Sequence, residues 1–468
     1  MGVTWYVDKV GGSATNSGSS EGNPKASGSQ AAYNSGSGII DLSLDLPDLS
    51  SVVASGDTIY LQSATGGVWD AATIFKIIAV DDILKTVTVG TAKPTNSNTG
   101  KNWAIGGAFS TMQRAIDAHY AGLNEDTYVK NSAVYTEAVI SDHLLGVDET
   151  YSKFEGYSVT PGDNGIVEID GKSTRSIGIS FVTKDIVVKN FKVHHHVSHG
   201  ISLGDRARVV NCESYNNGGN GINSTDGAIC FRCYCYNNTA DGILVAQGNA
   251  VILCCTLIDN NYGLECAGGV VWKTLCRGNA VKNLRIMGET GQLGLVLDSL
   301  VDGDNKDSDV GIEIATYFAT NDGAAVINTL VYDCVSGIEG YALIGFPPNV
   351  FSYNNLVNGN TTPYTNFGTT GGEITTAPTF INEGTDYTPA SGSPAIEKGM
   401  DQVGAAFLAL TGKRVSIGGI EPVENPIADY PLISDVRSGI TFDSGSQSGT
   451  LILPSPDNVR LGVDYGAP

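Results

Sequence analysis

Two aspartates at a spacing of 21 residues could carry out acid–base chemistry in this sequence. Asp205 and Asp226 each lie five residues after a glycine, Gly200 and Gly221, in a part of the chain that repeats. If each repeat forms one coil of a stacked structure, the two carboxylates lie one coil apart, about 4.8 Å. Retaining glycosidases use paired carboxylates at about this separation, so a catalytic pair is one interpretation. The other is a pair of hydrogen-bonded turn residues at strand ends.

A group of histidines is the second candidate site. His195 and His196 are followed closely by His199, and imidazole is both a general base near neutral pH and a common metal ligand. These three residues are therefore alternative catalytic candidates. His195 and His196 also align with Asn216–Asn217 one repeat later, so a structural role as the first members of a polar stack fits them equally.

An acidic segment between positions 302 and 309 is a candidate metal site. Asp302, Asp304 and Asp307 supply carboxylate oxygens, which are the ligands that Ca²⁺ prefers. The segment lacks the glycine placement and the closing glutamate of an EF-hand loop, and Lys306 opposes cation binding. A solvated loop is the alternative. We therefore expect no cofactor, with Ca²⁺ as the one exception to test.

The elements that position these residues come from a repeat of 21 residues. Its marker glycines are Gly200, Gly221, Gly242 and Gly263, and nine residues before them lie Phe191, Cys212, Cys233 and Cys254. A unit this short cannot bury its own apolar face, so neighbouring units must stack. Its β-branched residues, Asn and Gly predict strands joined by tight turns, one solenoid coil per repeat. One inward ladder would contain Ile201, Ile222, Ile243 and Leu264. The cysteines of the repeat would form a second inward ladder.

Segments outside the repeat carry a family resemblance. Trp5-Tyr6-Val7-Asp8 with its Gly/Asn/Ser loop, a late helix at 109–117 and the closing segment 392–399 resemble the right-handed parallel β-helix family. That family includes pectate-lyase-like enzymes, phage tailspikes and other virion proteins. The resemblance implies an all-β, right-handed parallel β-helix with about 21 residues per coil.

The resemblance also implies a site on an outward strand face, with stacked carboxylates or a basic residue beside calcium. The outward row two positions after the marker glycines contains Ser202, Asn223, Leu244 and Glu265. Over these four repeats the row holds one carboxylate and no basic partner.

The chain divides into four parts. Residues 1–30 form the N-terminal strand and loop of the β-helix cap, and 31–107 an inserted small β-barrel or sandwich. Residues 108–425 form the capping helix, the β-helix and its closing segment. Residues 426–468 form a small C-terminal β module, because the motif at Asp435 recurs at Asn458.

Composition limits the partners and the compartment. Asp+Glu exceed Lys+Arg by 49 to 27, and the net charge of -22 argues against nucleic acid or an anionic membrane as a partner. No apolar run is long enough to span a membrane, and we see no signal peptide at the N-terminus. The nine cysteines are an odd number and cluster in the repeat, so we expect buried free thiols and folding in a host cytoplasm.

Two classes of function fit these observations. The first is a structural virion protein of a bacteriophage, a spike, fibre or capsid-surface decoration with a β-helix stalk that could bind surface glycans. The alternative is a polysaccharide-degrading enzyme, a lyase or glycoside hydrolase of the pectate-lyase-like or tailspike type.

Either would be located on the virion or otherwise outside the cell. Expected partners are copies of the same chain, with a trimer as our prediction, other virion proteins and cell-surface polysaccharide.

Overall fold

The structure is a computed structural model of the chain. It describes residues 4–12, 24–34, 38–45, 53, 55, 57–61, 74–90, 98–106, 108–117, 119, 125–141, 151–248, 250–288, 294–304, 310–316, 323–342, 349–365, 369–371, 374, 376–377, 379–382, 386–394, 441–442 and 447–448. Within these residues, no helix has the length and apolarity that crossing a membrane requires.

The N-terminal part contains one strand, a barrel and one helix. In chain order these are β1 (Thr4–Asp8), β2 (Pro24–Asn34), β3 (Ile39–Asp41), β4 (Thr58–Leu61), β5 (Ile74–Asp81), β6 (Thr86–Val89), β7 (Asn98–Gly106) and α1 (Met112–Asp117). Strands β2 to β7 close into an antiparallel barrel in the order β2-β3-β6-β5-β4-β7. It has its own core around Ile40, Ile59 and Trp103. The barrel begins at Pro24, inside the range that the sequence assigned to the cap loop.

The strands that follow are short and build the solenoid. They are β8 (Asp126–Lys130), β9 (Val139–Ser141), β10 (Ser152–Tyr157), β11 (Val167–Asp170), β12 (Ile179–Phe181), β13 (Ile186–Lys189), β14 (Phe191–His194), β15 (Ile201–Leu203), β16 (Arg208–Val210), β17 (Glu213–Tyr215), β18 (Ile222–Asp226), β19 (Ile229–Phe231), β20 (Tyr234–Tyr236), β21 (Asp241–Gln247), β22 (Ala250–Leu253), β23 (Thr256–Ile258), β24 (Tyr262–Ala267), β25 (Gly269–Trp272), β26 (Leu275–Arg277), β27 (Lys282–Gly288), β28 (Gly294–Leu297), β29 (Leu300–Asp302), β30 (Val310–Thr316), β31 (Gly323–Ile327), β32 (Leu330–Tyr332), β33 (Ser336–Ala342), β34 (Asn349–Tyr353), β35 (Leu356–Asn358), β36 (Thr362–Thr365) and β37 (Thr369–Gly371).

Each coil gives one strand to each of three parallel sheets. The first sheet runs from β1 through β8, β10 and β13 to β37, the second from β11 to β35, and the third from β9 to β36. The predicted all-β, right-handed parallel β-helix is confirmed. The inward ladder from Ile201 through Ile222 and Ile243 to Leu264 is in register and fully buried. Helix α1 packs Met112 and Ile116 into the same core.

The cysteine ladder needs one correction. Cys212 and Cys233 are buried as expected, but Cys254 is half-buried and occupies a corner with a φ of 53°. Cys255 takes the inward place instead, because Ile229 pairs with Val251, 22 residues later, so this coil is one residue longer. All nine cysteines are free thiols.

Corners between strands are made by residues with left-handed backbone. His195, Asn216 and Asn237 hold equivalent places with φ values of 56°, 53° and 53°. Asparagine adopts this conformation at lower cost than most residues. The next residue of each coil points inward, and the amide of Asn238 accepts a bond from the N–H of Asn217 at 3.2 Å. A buried stack of asparagines therefore runs along the solenoid.

The remaining described strands are β38 (Phe380–Asn382), β39 (Asp386–Pro389), β40 (Thr441–Phe442) and β41 (Gln447–Ser448). The C-terminal module predicted for 426–468 lies outside the described residues, apart from the short antiparallel pair of β40 and β41.

Candidate active site

The outward face of the third sheet carries a charged row that extends beyond the four repeats read from the sequence. Its register continues from Leu244 and Glu265 to Arg285, Glu313 and Glu339. The first half of the row is polar or apolar and uncharged, as expected. In the second half, Glu265, Arg285 and Glu313 alternate in charge and Glu339 is a further carboxylate beside Glu313, so the basic partner absent from the earlier repeats is Arg285.

Ion pairs connect the residues of this charged row. Arg285 Nη1 lies 3.1 Å from Glu265 Oε2, and its Nε lies 2.7 Å from Glu313 Oε1. Lys282 Nζ also contacts Glu313 Oε2. All four side chains are less than one-fifth exposed, so solvent screens their mutual attraction only in part. Glu265 is therefore paired with a guanidinium in a partly buried position.

Asp241 behaves differently although it lies beside the same row. It begins β21 and is 9% exposed. Burial, and after it the charge of Glu265, raise the pKa of its carboxyl group to about 7, although Arg285 opposes both effects. The site thus combines a buried carboxyl group that is partly protonated near neutral pH with a neighbouring carboxyl group in an ion pair. Two carboxyl groups whose environments separate their protonation states are suited to general acid and base roles.

Asp205 and Asp226 lie in neighbouring coils, near the ends of β15 and β18. The N–H of Arg206 bonds the carbonyl of Asp226 at 2.7 Å, which joins the two coils. The exposed Asp205 accepts a bond of 2.5 Å from the Thr225 hydroxyl. The Asp226 carboxylate lies over Gly248, where an added Cβ would be only 1.5 Å from it. Both side chains lie at strand ends, and a catalytic role for them stays a prediction.

The three predicted histidines do not form one site. His195 is at a corner, where its Nδ1 lies 2.9 Å from His194 Nδ1 and 3.3 Å from Asp170 Oδ1. His196 points inward, and burial lowers its pKa to about 4, so its ring is neutral. His199 accepts a bond from the N–H of Asn220 at 3.0 Å. His194 belongs to the same run of histidines in the sequence, whereas Asp170, in the preceding coil, was not among the sequence-based candidates.

The predicted calcium segment is only partly described. Arg277 lies 3.5 Å from Asp302 Oδ2 and 2.8 Å from Asp304 Oδ1, while Asp307 lies outside the described residues. A calcium ion at this place would compete with the guanidinium for both described carboxylates, so calcium binding there remains a prediction.

Comparisons with known proteins concern the fold. No family model and no curated protein matches this chain. Five solved chains match. A pectate lyase is 12% identical, with a TM-score of 0.40 over 67% of this chain and 91% of its own. A periplasmic alginate epimerase is 12% identical, with a TM-score of 0.33 over 54% and 60%. The tailspike protein of Pseudomonas phage LKA1 is 14% identical, with a TM-score of 0.22 over 80% and 69%. These similarities concern the fold alone.

Proposed function

We propose that this chain is a polysaccharide-cleaving spike or fibre protein of a bacteriophage particle. One observation carries the proposal. On an outward sheet face, the buried carboxyl group of Asp241 has a pKa near 7 and lies near Glu265, which is ion-paired with Arg285. In this reading Asp241 is the general acid, Glu265 is the general base, and Arg285 is a positioning residue that acts through Glu265.

The reaction that this pair supports is hydrolysis of a glycosidic bond. Asp241 gives its proton to the glycosidic oxygen as the bond from that oxygen to the anomeric carbon breaks. Glu265 takes a proton from the water whose oxygen forms the new bond to that carbon. Arg285 and Lys282 are each paired with a glutamate, and the chain has a net charge of -22. An uncharged polysaccharide therefore fits this face better than a polyanionic one.

The proposal is tested by measuring the release of reducing ends from a panel of neutral polysaccharides by the full chain. Asp241→Asn and Glu265→Gln should each lower kcat/KM by about 100-fold or more while the thermal transition is retained. Asp226→Ala is the matched control and should keep full activity. Loss of activity in the control, with activity kept in Asp241→Asn, would move the site to the Asp205–Asp226 pair.

A non-enzymatic structural protein of the virion is the second candidate. It is favoured by the mutual neutralisation of Glu313 with Lys282 and Arg285, which is what a purely structural network would show. In that case the β-helix would be a rigid stalk that binds surface glycans without cleaving them. Binding of a polysaccharide with no reducing ends released would support it. Mass spectrometry of purified particles would test the virion location that both candidates share.

A further inference from the structure

A second cluster of side chains lies far along the chain from the charged row, at the corner between the second and third sheets. Strands β11 and β14 are register partners, and their last residues, Asp170 and His194, face each other across neighbouring coils. His195 follows at the corner with a φ of 56°, which turns its ring back toward the same place. We propose that Asp170, His194 and His195 bind a divalent transition-metal ion of the zinc class.

The distances among the three ligand atoms fit one ion. His194 Nδ1, His195 Nδ1 and Asp170 Oδ1 are separated by 2.9 Å, 3.3 Å and 3.7 Å. A point equidistant from the corners of such a triangle lies about 1.9 Å from each, and a slight displacement from the plane gives the 2.0–2.2 Å of zinc–nitrogen and zinc–oxygen bonds. Two imidazoles and one carboxylate form a donor set that suits zinc and its neighbours better than calcium or magnesium.

A separate contact orients the buried ring of His194 as a metal ligand. His194 Nε2 lies 2.9 Å from Glu168 Oε1. Because a carboxylate only accepts hydrogen bonds, Nε2 of the neutral ring carries the proton, and the lone pair of Nδ1 faces His195 and Asp170. A carboxylate behind a histidine is the usual outer partner of a metal-bound imidazole. The ring is also fixed by stacking on Tyr215, with centroids 4.7 Å apart.

The surroundings leave one side of the cluster open and place the ammonium group of Lys172 near it. The side chain of His195 is 43% exposed, so water can complete the coordination of an ion. The ammonium group of Lys172 contacts Asp170 Oδ2, and the backbone N–H of Lys172 donates to Asp170 Oδ1 at 2.9 Å. The ammonium group approaches the oxygen that does not face the histidines, and its side chain is 62% exposed, so it can turn away when an ion binds.

The test is a titration of the chelator-treated full chain with Zn²⁺ by calorimetry and with Co²⁺ by absorption. We expect one equivalent to bind, with the d–d bands of a nitrogen–oxygen site and without the charge-transfer band of cobalt bound to thiolate. His195→Asn removes one ligand and suits the corner, because Asn216 has nearly the same φ of 53°. It and Asp170→Asn should each weaken binding by at least about 10-fold.

His199→Asn is the matched control and should bind both ions as the wild type does, because His199 lies outside the cluster. Circular dichroism checks the fold of every variant. The proposal is overturned if the wild type binds no ion, if His195→Asn and Asp170→Asn bind as tightly as the control, or if a thiolate band shows that the cysteines hold the ion.

Discussion

Burial decides which carboxyl groups beside the charged row carry a proton. Asp241 and Glu265 are near enough to influence each other, yet only Glu265 has a guanidinium at 3.1 Å. The desolvation of Asp241 is therefore the main source of its raised pKa. This difference between neighbours follows from three coils stacking in register, and it cannot be read from any single repeat.

The raised pKa of Asp241 predicts how stability depends on pH. The folded state holds this proton up to about pH 7, whereas the ordinary pKa is 3.8. The stabilisation from proton binding is thus fully present below about pH 4 and is lost as pH rises through 7. Asp241→Asn keeps a neutral group at every pH, so its free energy of unfolding relative to the wild type should rise by up to about 4 kcal/mol between pH 4 and pH 8. Urea denaturation at several pH values measures this difference, and a pH-independent difference would contradict it.

The thiols provide a second prediction at this scale. Eight of the nine cysteines are buried, Cys254 is half-buried, and burial raises the pKa of Cys212 and Cys266 to about 12. Because the thiolate is the reactive form, a thiol reagent at pH 7.5 should modify at most Cys254 quickly in the native protein. After denaturation without a reductant, all nine should react. Recovery of seven or fewer would show that a disulfide forms.

At the scale of elements, the repeat was sufficient to predict the coils but not their exceptions. The glycine ladder identifies coils through Gly263, and the next coil has Asn283 at the matching register position, so the marker is lost there. Arg285 and Glu313 come after the coil that lacks the marker glycine. The outward row that could be predicted from the sequence therefore ended at Glu265. The extra residue before Val251 likewise moved the ladder from Cys254 to Cys255. A coil that is one residue longer, or that lacks the marker glycine, still stacks on its neighbours. A search for residues at a fixed spacing misses it.

The asparagine stack supplies the prediction for the coils. Asn238 is buried, and its amide donates to the Ser214 carbonyl at 3.0 Å and to Asn260 Oδ1 at 2.9 Å, while its oxygen accepts from Asn217. Asn238→Ala leaves buried partners unsatisfied, at about 1–3 kcal/mol for each group. We expect a loss of about 3 kcal/mol in the free energy of unfolding, measured by urea denaturation. Asn223→Ala, on the half-buried outward face, is the control and should cost less than about 1 kcal/mol.

At the scale of the whole molecule, the outward faces of the first and third sheets differ in character. The third sheet carries the charged row, whereas the first sheet presents two apolar register rows over six coils. These rows contain Ile229, Phe231, Val251, Leu253, Val270, Trp272, Leu295, Leu297, Ala325, Ile327, Phe351 and Tyr353. Six coils extend over about 25 Å, and a contiguous apolar surface of that length is typical of a protein–protein interface.

The last prediction is that this apolar face joins copies of the chain. A net charge of -22 repels like molecules, so association needs an apolar contact, and the same face on each copy can meet around a closed symmetry axis. We expect a homo-oligomer, with a trimer as the predicted number. Phe351 and Tyr353 are 56% and 48% exposed, so Phe351→Glu with Tyr353→Glu should leave the coil intact and place charge inside the contact. Light scattering should then show a fall to the monomer mass, whereas Ser202→Glu, on the outward face of the third sheet, should keep the oligomer. A monomeric wild type, or an unchanged mass in the double variant, would show that this face does not join subunits.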